Sequence, residues 1–177
     1  MKIDIKRNGN EYVFLKNEKK LYYAIYSISW FKTKKELFSD KKQKIAEVIP
    51  KIGLNGVKYK ITLNNYNLTL KLKGSLLKNY YEAFYKNDIY KIIKHKGYYV
   101  SIFKNNIQIA YYKTHKTTFN NSEKTQLVCN SDTEETLLIT FIVALELTHQ
   151  EHDEVGSINL GNIALEYKPF NKKWKPI

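Results

Sequence analysis

The chain holds one cysteine, Cys129, one arginine, Arg7, and three prolines in 177 residues. A lone cysteine excludes an internal disulfide, and without a placed His or Asn partner it reads as a small core residue rather than a catalytic thiol. Seven glycines and three prolines form no linker, so one domain is expected, able to bury ~70% of the surface its unfolded chain exposes. No apolar run reaches the length of a membrane span. Met1 leads into the charged stretch IDIKR instead of an apolar signal segment. Together these absences point to a reducing compartment, either the cytoplasm or a membrane face open to it with the protein attached peripherally. A single arginine fits poorly with sequence-specific DNA reading, because bidentate contacts to guanine are mostly arginine work. Neither a phosphate-binding glycine loop nor a Gly-x-Ser-x-Gly elbow occurs, and no carboxylate pair can be set across a cleft. The expectation is a non-catalytic protein that needs no cofactor.

Positive charge is abundant, with a formal net charge of +13. It is unevenly spread: residues 1–60 carry +9, residues 61–120 carry +8 and residues 121–177 carry −4. Such a field favours anionic partners, namely anionic phospholipid, nucleic acid or an acidic protein, and it equally suits a solvated lysine surface that maintains solubility. Lys, Asn, Ile and Tyr are all frequent, as in products of A+T-rich genomes, so the lysine count alone says little.

From Lys2 to Cys129 short runs of Tyr, Ile, Val, Leu and Phe alternate with Asn, Gly and Lys, the pattern of strands and hairpin turns. Strands are expected near 2–6, 11–16, 22–31, 35–39, 44–51, 57–63, 68–73, 79–86, 88–95, 98–104, 106–115 and 123–129. The clearest hairpins are Val57–Lys73, turning at Asn64–Asn67, and Tyr98–His115, turning at Asn105-Asn106, where asparagine tolerates positive φ. A sheet of about a dozen antiparallel strands removes its edges by closing. What fills it is Thr133–His149, TEETLLITFIVALELTH, which is apolar on every side at ~100° per residue. At roughly 15 Å it is too short for a ~30 Å hydrocarbon layer, so it must be a helix surrounded by protein, with Leu138, Phe141, Ile142 and Leu145 in the core. Ser131 with Glu134, or Asp132 with Glu135, has capping-box spacing; the β-branched content leaves a buried strand as the alternative. The fold expected is mainly β: a closed antiparallel barrel of about twelve strands around a central, buried C-terminal helix. It would occupy residues 1–149, with 150–177 as an extension packed on the same domain or trailing from it.

The segment KNDIYKIIKHKGYYVSIFKNNIQIAYYKT (Lys86–Thr114), followed by EKTQLVCNSDTEETLLITFIVALELTH (Glu123–His149), resembles the tubby C-terminal-like superfamily, which groups the tubby, LURP-one-related and phospholipid-scramblase domains. The resemblance covers roughly residues 20–149 and rests on a hairpin turning on Asn or Gly, a last strand and an acidic-capped apolar helix. It implies a twelve-stranded barrel wrapped around that helix. It also implies links to membranes, since tubby domains bind phosphoinositide headgroups through a basic patch outside the barrel. The tubby phosphoinositide motif finds no match here, and the cysteine cluster and calcium loop of scramblases are missing.

With the helix inside, function falls to the outer surface, the loops or the tail. In the hairpin Val57–Lys73 the alternation puts Lys58, Lys60, Lys71 and Lys73 on one face. A four-residue loop would set Leu63 opposite Leu68, Lys60 opposite Lys71 and Lys58 opposite Lys73. Like charges so placed repel, and an anion would offset the repulsion; lysines splayed into water to discourage edge pairing explain the same residues. His149, His152 and Asp153, with Glu151 and Glu154, form a weak candidate metal cluster that reads equally as a hydrated helix exit. His95 and His115, set among lysines, read as exposed surface residues. Tyrosine pairs such as Tyr80-Tyr81, Tyr98-Tyr99 and Tyr111-Tyr112 could stack on bases, but adjacent strand residues face opposite ways, which sends one of each pair to the core. Phe170–Lys175 mixes aromatic and basic residues and reads as a frayed tail. Three functions remain: a module binding anionic membrane surfaces through the lysine-rich exterior, a non-specific single-strand nucleic-acid binder, and a protein-interaction or immunity-type module with an acidic partner.

Overall fold

The computed structural model describes residues 1–8, 11–29, 32–53, 56–74, 80–95, 99–113, 125–146 and 169–177. Twelve strands are present: β1 (Lys2–Asn8), β2 (Glu11–Lys16), β3 (Lys19–Ser29), β4 (Lys32–Ser39), β5 (Lys44–Gly53), β6 (Gly56–Leu63), β7 (Tyr66–Lys73), β8 (Tyr80–Tyr85), β9 (Asp88–Lys94), β10 (Tyr99–Lys104), β11 (Ile107–Lys113) and β12 (Thr125–Cys129). Each pairs antiparallel with its neighbours in sequence, and β1 pairs with β12, so the meander closes into a barrel. The hydrophobic alternation explains why. Ile3, Phe14, Leu37, Val48, Ile61, Leu70, Ile92, Ile102, Tyr112 and Leu127 all point inward and are buried, while the intervening Lys, Thr and Glu, Lys35 apart, point outward.

Inside lies α1 (Glu135–Glu146). From Leu137 to Leu145 every residue is 2% exposed or less, which only an environment of protein on all sides produces. The small inward residues Ala24, Ala46, Ala83 and Ala110 provide room for it, and it approaches β4, β5 and β6. Thr140, the polar residue within this stretch, returns its hydroxyl to Thr136 O at 2.7 Å and so leaves no donor unmet. Cys129 is buried at the end of β12, and burial pushes its thiol pKa up.

Several expectations need correction. The acids at the helix start do not close a capping box. The Glu134 carboxylate instead accepts from Tyr85 Oη at 2.9 Å and Lys86 Nζ at 3.0 Å, and Glu135 faces Lys16 at 3.8 Å. These acids therefore fasten the helix to the barrel rim. The turn between β6 and β7 uses two residues rather than four: Asn64 and Asn65 adopt φ of 46° and 67°. Leu63 consequently pairs with Tyr66 and Ile61 with Leu68. The shift of two residues preserves which face each side chain occupies but changes the partners, so Lys58 faces Lys71 and Lys60 faces Thr69. The second expected turn is as read, with Asn105 and Asn106 at φ 48° and 69°. His95 is buried, 6% exposed, rather than a surface residue. The tail does not fray: Pro169–Ile177 packs against the outside of the barrel. His115, His149, His152 and Asp153 lie outside the described residues.

Candidate functional site

Two regions of the outer surface combine residues in ways the fold alone does not require. The first spans β5, β6 and β7. Lys51 pairs with Lys58, and Lys58 with Lys71, so three ammonium-bearing side chains stand in one row across three strands spaced ~4.8 Å apart. Lys60 and Lys73 extend the same outward face along β6 and β7, and all five are exposed. Glu82 on β8, opposite Lys71, is the acid in register with the row. None of the five lysines forms an ion pair among the described residues.

The neighbouring face makes the contrast. Glu36 on β4 lies opposite Glu47 on β5, and two lysines bridge them: Lys34 at 2.8 and 3.2 Å, Lys44 at 3.4 and 3.3 Å. Burial works to raise the Glu47 pKa, but the hydrogen bonds from Lys34 and Lys44 outweigh it and hold the carboxyl below its ordinary range. Lys34 is correspondingly raised, chiefly by its hydrogen bond to Glu36. Acids and lysines thus cancel on β4–β5, whereas on β5–β7 the charge stands uncancelled. Sequence reasoning found Lys58, Lys60, Lys71 and Lys73 and missed Lys51. The signal was present, since the pairing that sets Gly53 opposite Gly56 also sets Lys51 opposite Lys58.

The second region is the seam between the tail and β9–β11. Phe170 stacks on Tyr99 with centroids 4.1 Å apart and meets Tyr111 edge-on at 5.2 Å. The Trp174 indole N–H donates to Gln108 O at 3.2 Å. Ile177 N donates to Asn130 Oδ1 at 3.0 Å, and Ser131 N to Ile177 O at 2.9 Å. Beneath the tail, His95 Nε2 and Ser101 Oγ are 2.9 Å apart. That is the spacing of a base and its nucleophile; Ser101 is 1% exposed and, with His95, lines the small cavity under the tail. A bulge between β10 and β11 pairs Phe103 with Gln108 and turns both toward the seam. The sequence marked the aromatic residues of the tail and of β10–β11 separately and left open whether the tail packs on the domain; their meeting is a long-range event that no local spacing signals.

Among the described residues no cluster of three His, Cys, Asp or Glu could hold a metal, and no helix is long and apolar enough to cross a membrane. No family model, no curated protein and no solved structure matches the chain.

Proposed function

We propose that the protein is a binding module that settles on anionic membrane surfaces through the outer face of β5–β7. The observation that carries this reading is the row Lys51–Lys58–Lys71, aligned strand to strand with no ion pair among the described residues while β4–β5 next to it is neutralised. Like charges directly opposite on a sheet cost a few tenths of a kcal/mol each, and a layer of phosphates removes that cost. Each lysine close to an anionic leaflet contributes about 1 kcal/mol. Five of them give about 5 kcal/mol, between the millimolar mark at ~4.1 and the micromolar mark at ~8.2, which means reversible attachment. The resemblance to tubby-like domains, whose tubby members bind phosphoinositide headgroups outside the barrel, supports the same reading, and membership of that superfamily is part of the proposal.

Co-sedimentation with neutral and anionic vesicles at low and physiological salt tests it. The wild type pellets with anionic vesicles and less so as salt rises. Changing Lys51, Lys58, Lys60, Lys71 and Lys73 to Gln abolishes binding, while the charge-matched change of the exposed Lys2, Lys6, Lys19, Lys41 and Lys42 to Gln reduces it only in part. Equal losses in both variants would reduce the effect to net charge, and a wild type that stays in the supernatant with anionic vesicles at low salt would overturn the reading.

A further inference from the structure

The seam beneath the tail holds a cavity of about 150 Å³, with His95, Phe103, Asn106, Gln108, Asn171 and Trp174 in its walls. An engineered cavity of about this volume accommodates benzene, so the space suits a ligand of about four to six non-hydrogen atoms. Three side-chain amides, those of Asn106, Gln108 and Asn171, stand in these walls. Asn106 Oδ1 already accepts from Lys91 Nζ at 2.9 Å, and Asn171 Oδ1 accepts from Lys173 N at 3.0 Å. An amide whose oxygen is engaged offers its nitrogen as donor. Gln108 Nε2 is buried with no hydrogen-bond partner among the described residues. The Gln108 main-chain carbonyl accepts from the Trp174 indole N–H. Gln108 Nε2 is thus a buried donor left unmet, with the Asn106 and Asn171 side-chain amides in the same walls.

We propose that this seam is a binding site for a small aliphatic monocarboxylate. A carboxylate is an acceptor only, with two oxygens and about four lone-pair positions to meet the amide donors. The Lys91 ammonium behind Asn106 gives the site a favourable sign without placing a charge within it. The rings of Phe103 and Trp174 form an apolar wall for a short alkyl stem. Neutral amides rather than guanidinium groups favour a monoanion over a phosphate dianion, whose second charge would find no partner there. Asn106 and Gln108 belong to the barrel and Asn171 and Trp174 to the tail, so an occupied site fastens one to the other.

The test uses the full chain carrying Trp30→Phe, which leaves Trp174 as the only indole. Acetate, propionate and phosphate are titrated at constant ionic strength against chloride, following Trp174 fluorescence and its indole N–H resonance. Propionate and acetate produce a saturable change. Gln108→Met, which keeps the side-chain volume and removes the donor, weakens the response at least tenfold without changing the melting temperature. Asn171→Ala, at an exposed tail position, weakens it as well. The proposal is overturned if carboxylates act no differently from chloride, if phosphate saturates the signal as readily as propionate, or if both variants respond like the parent.

Discussion

Lys35 is the residue whose placement the composition hides best. In KTKKELF the two-residue period sends Lys34 outward to Glu36 and Glu47 and sends Lys35 inward beside Leu37, where it is 0% exposed. Its ammonium donates to Ala144 O at 2.8 Å and Val143 O at 3.3 Å, carbonyls in the last turn of α1. A helix ending inside a barrel has no water to meet its final carbonyls, and the negative end of its dipole favours a cation there. Tyr59 lies 5.4 Å below the ammonium and adds its ring face. Lysine is thus the functional end cap of a helix that a solvent-exposed terminus would not require. Lys35→Met keeps the aliphatic length, removes both donors and should destabilise the protein by about 1–3 kcal/mol in urea unfolding. A variant as stable as wild type would show that the carbonyls find other partners. Parity with Leu37 made the inward position readable from the sequence, but one inward lysine among so many outward ones has no local mark.

At the scale of elements, the strands were legible because each carries its own alternation, and all twelve fall where that pattern puts them. Registers were less so. The β6–β7 pairing depends on how many residues the turn consumes, and the four-residue stretch NNYN permits two or four. The structure uses Asn64-Asn65 with both φ positive, the geometry that matches strand twist in a two-residue hairpin. Asn65→Gly should therefore be tolerated. Asn65→Val puts a β-branched residue at φ 67° and should cost about 1–2 kcal/mol, read as a lower urea midpoint with an unchanged slope; an equal midpoint would mean the turn had moved to the longer form. The helix was legible from its all-round apolarity, which no exposed element could carry. Its anchoring was not, since local spacing suggested a capping box while the rim supplied Tyr85 and Lys86 from 49 and 48 residues upstream of Glu134. The docked tail is the extreme case: Phe170 and Trp174 meet Tyr99 and Tyr111 only after the barrel exists to receive them.

For the molecule as a whole, the rim chemistry predicts a stability that fails at both ends of the pH scale for different reasons. On the acid side, Glu47 is held below its ordinary pKa by Lys34 and Lys44 against the opposing effect of burial, and Asp88 is lowered by its hydrogen bond from Lys104. Below about pH 4.3 the unfolded chain takes up these protons before the folded one, so stability falls as pH falls. On the alkaline side, burial and then Glu135 push the Tyr22 phenol up to about 12. Tyr85 is raised by burial and by its hydrogen bond to Glu134, and Tyr90 is raised by burial. In unfolded chain these phenols ionise near about pH 10, whereas the folded protein keeps their protons longer. Between the two values the folded state binds more protons, so stability is full below about pH 10 and is lost as pH rises toward the folded pKa. Lys34, Lys86 and Lys104, each raised chiefly by its hydrogen bond to a carboxylate, add to the same alkaline loss. Thermal unfolding followed by circular dichroism should therefore show a plateau from about pH 5 to 9 with a decline on either side. Tyr22→Phe keeps the ring in place beside Glu135 and removes the ionising group, so its melting temperature should decline less steeply above pH 10. If the variant and the wild type descend in parallel, Tyr22 titrates as an ordinary phenol and the acids at the helix start do not oppose its ionisation.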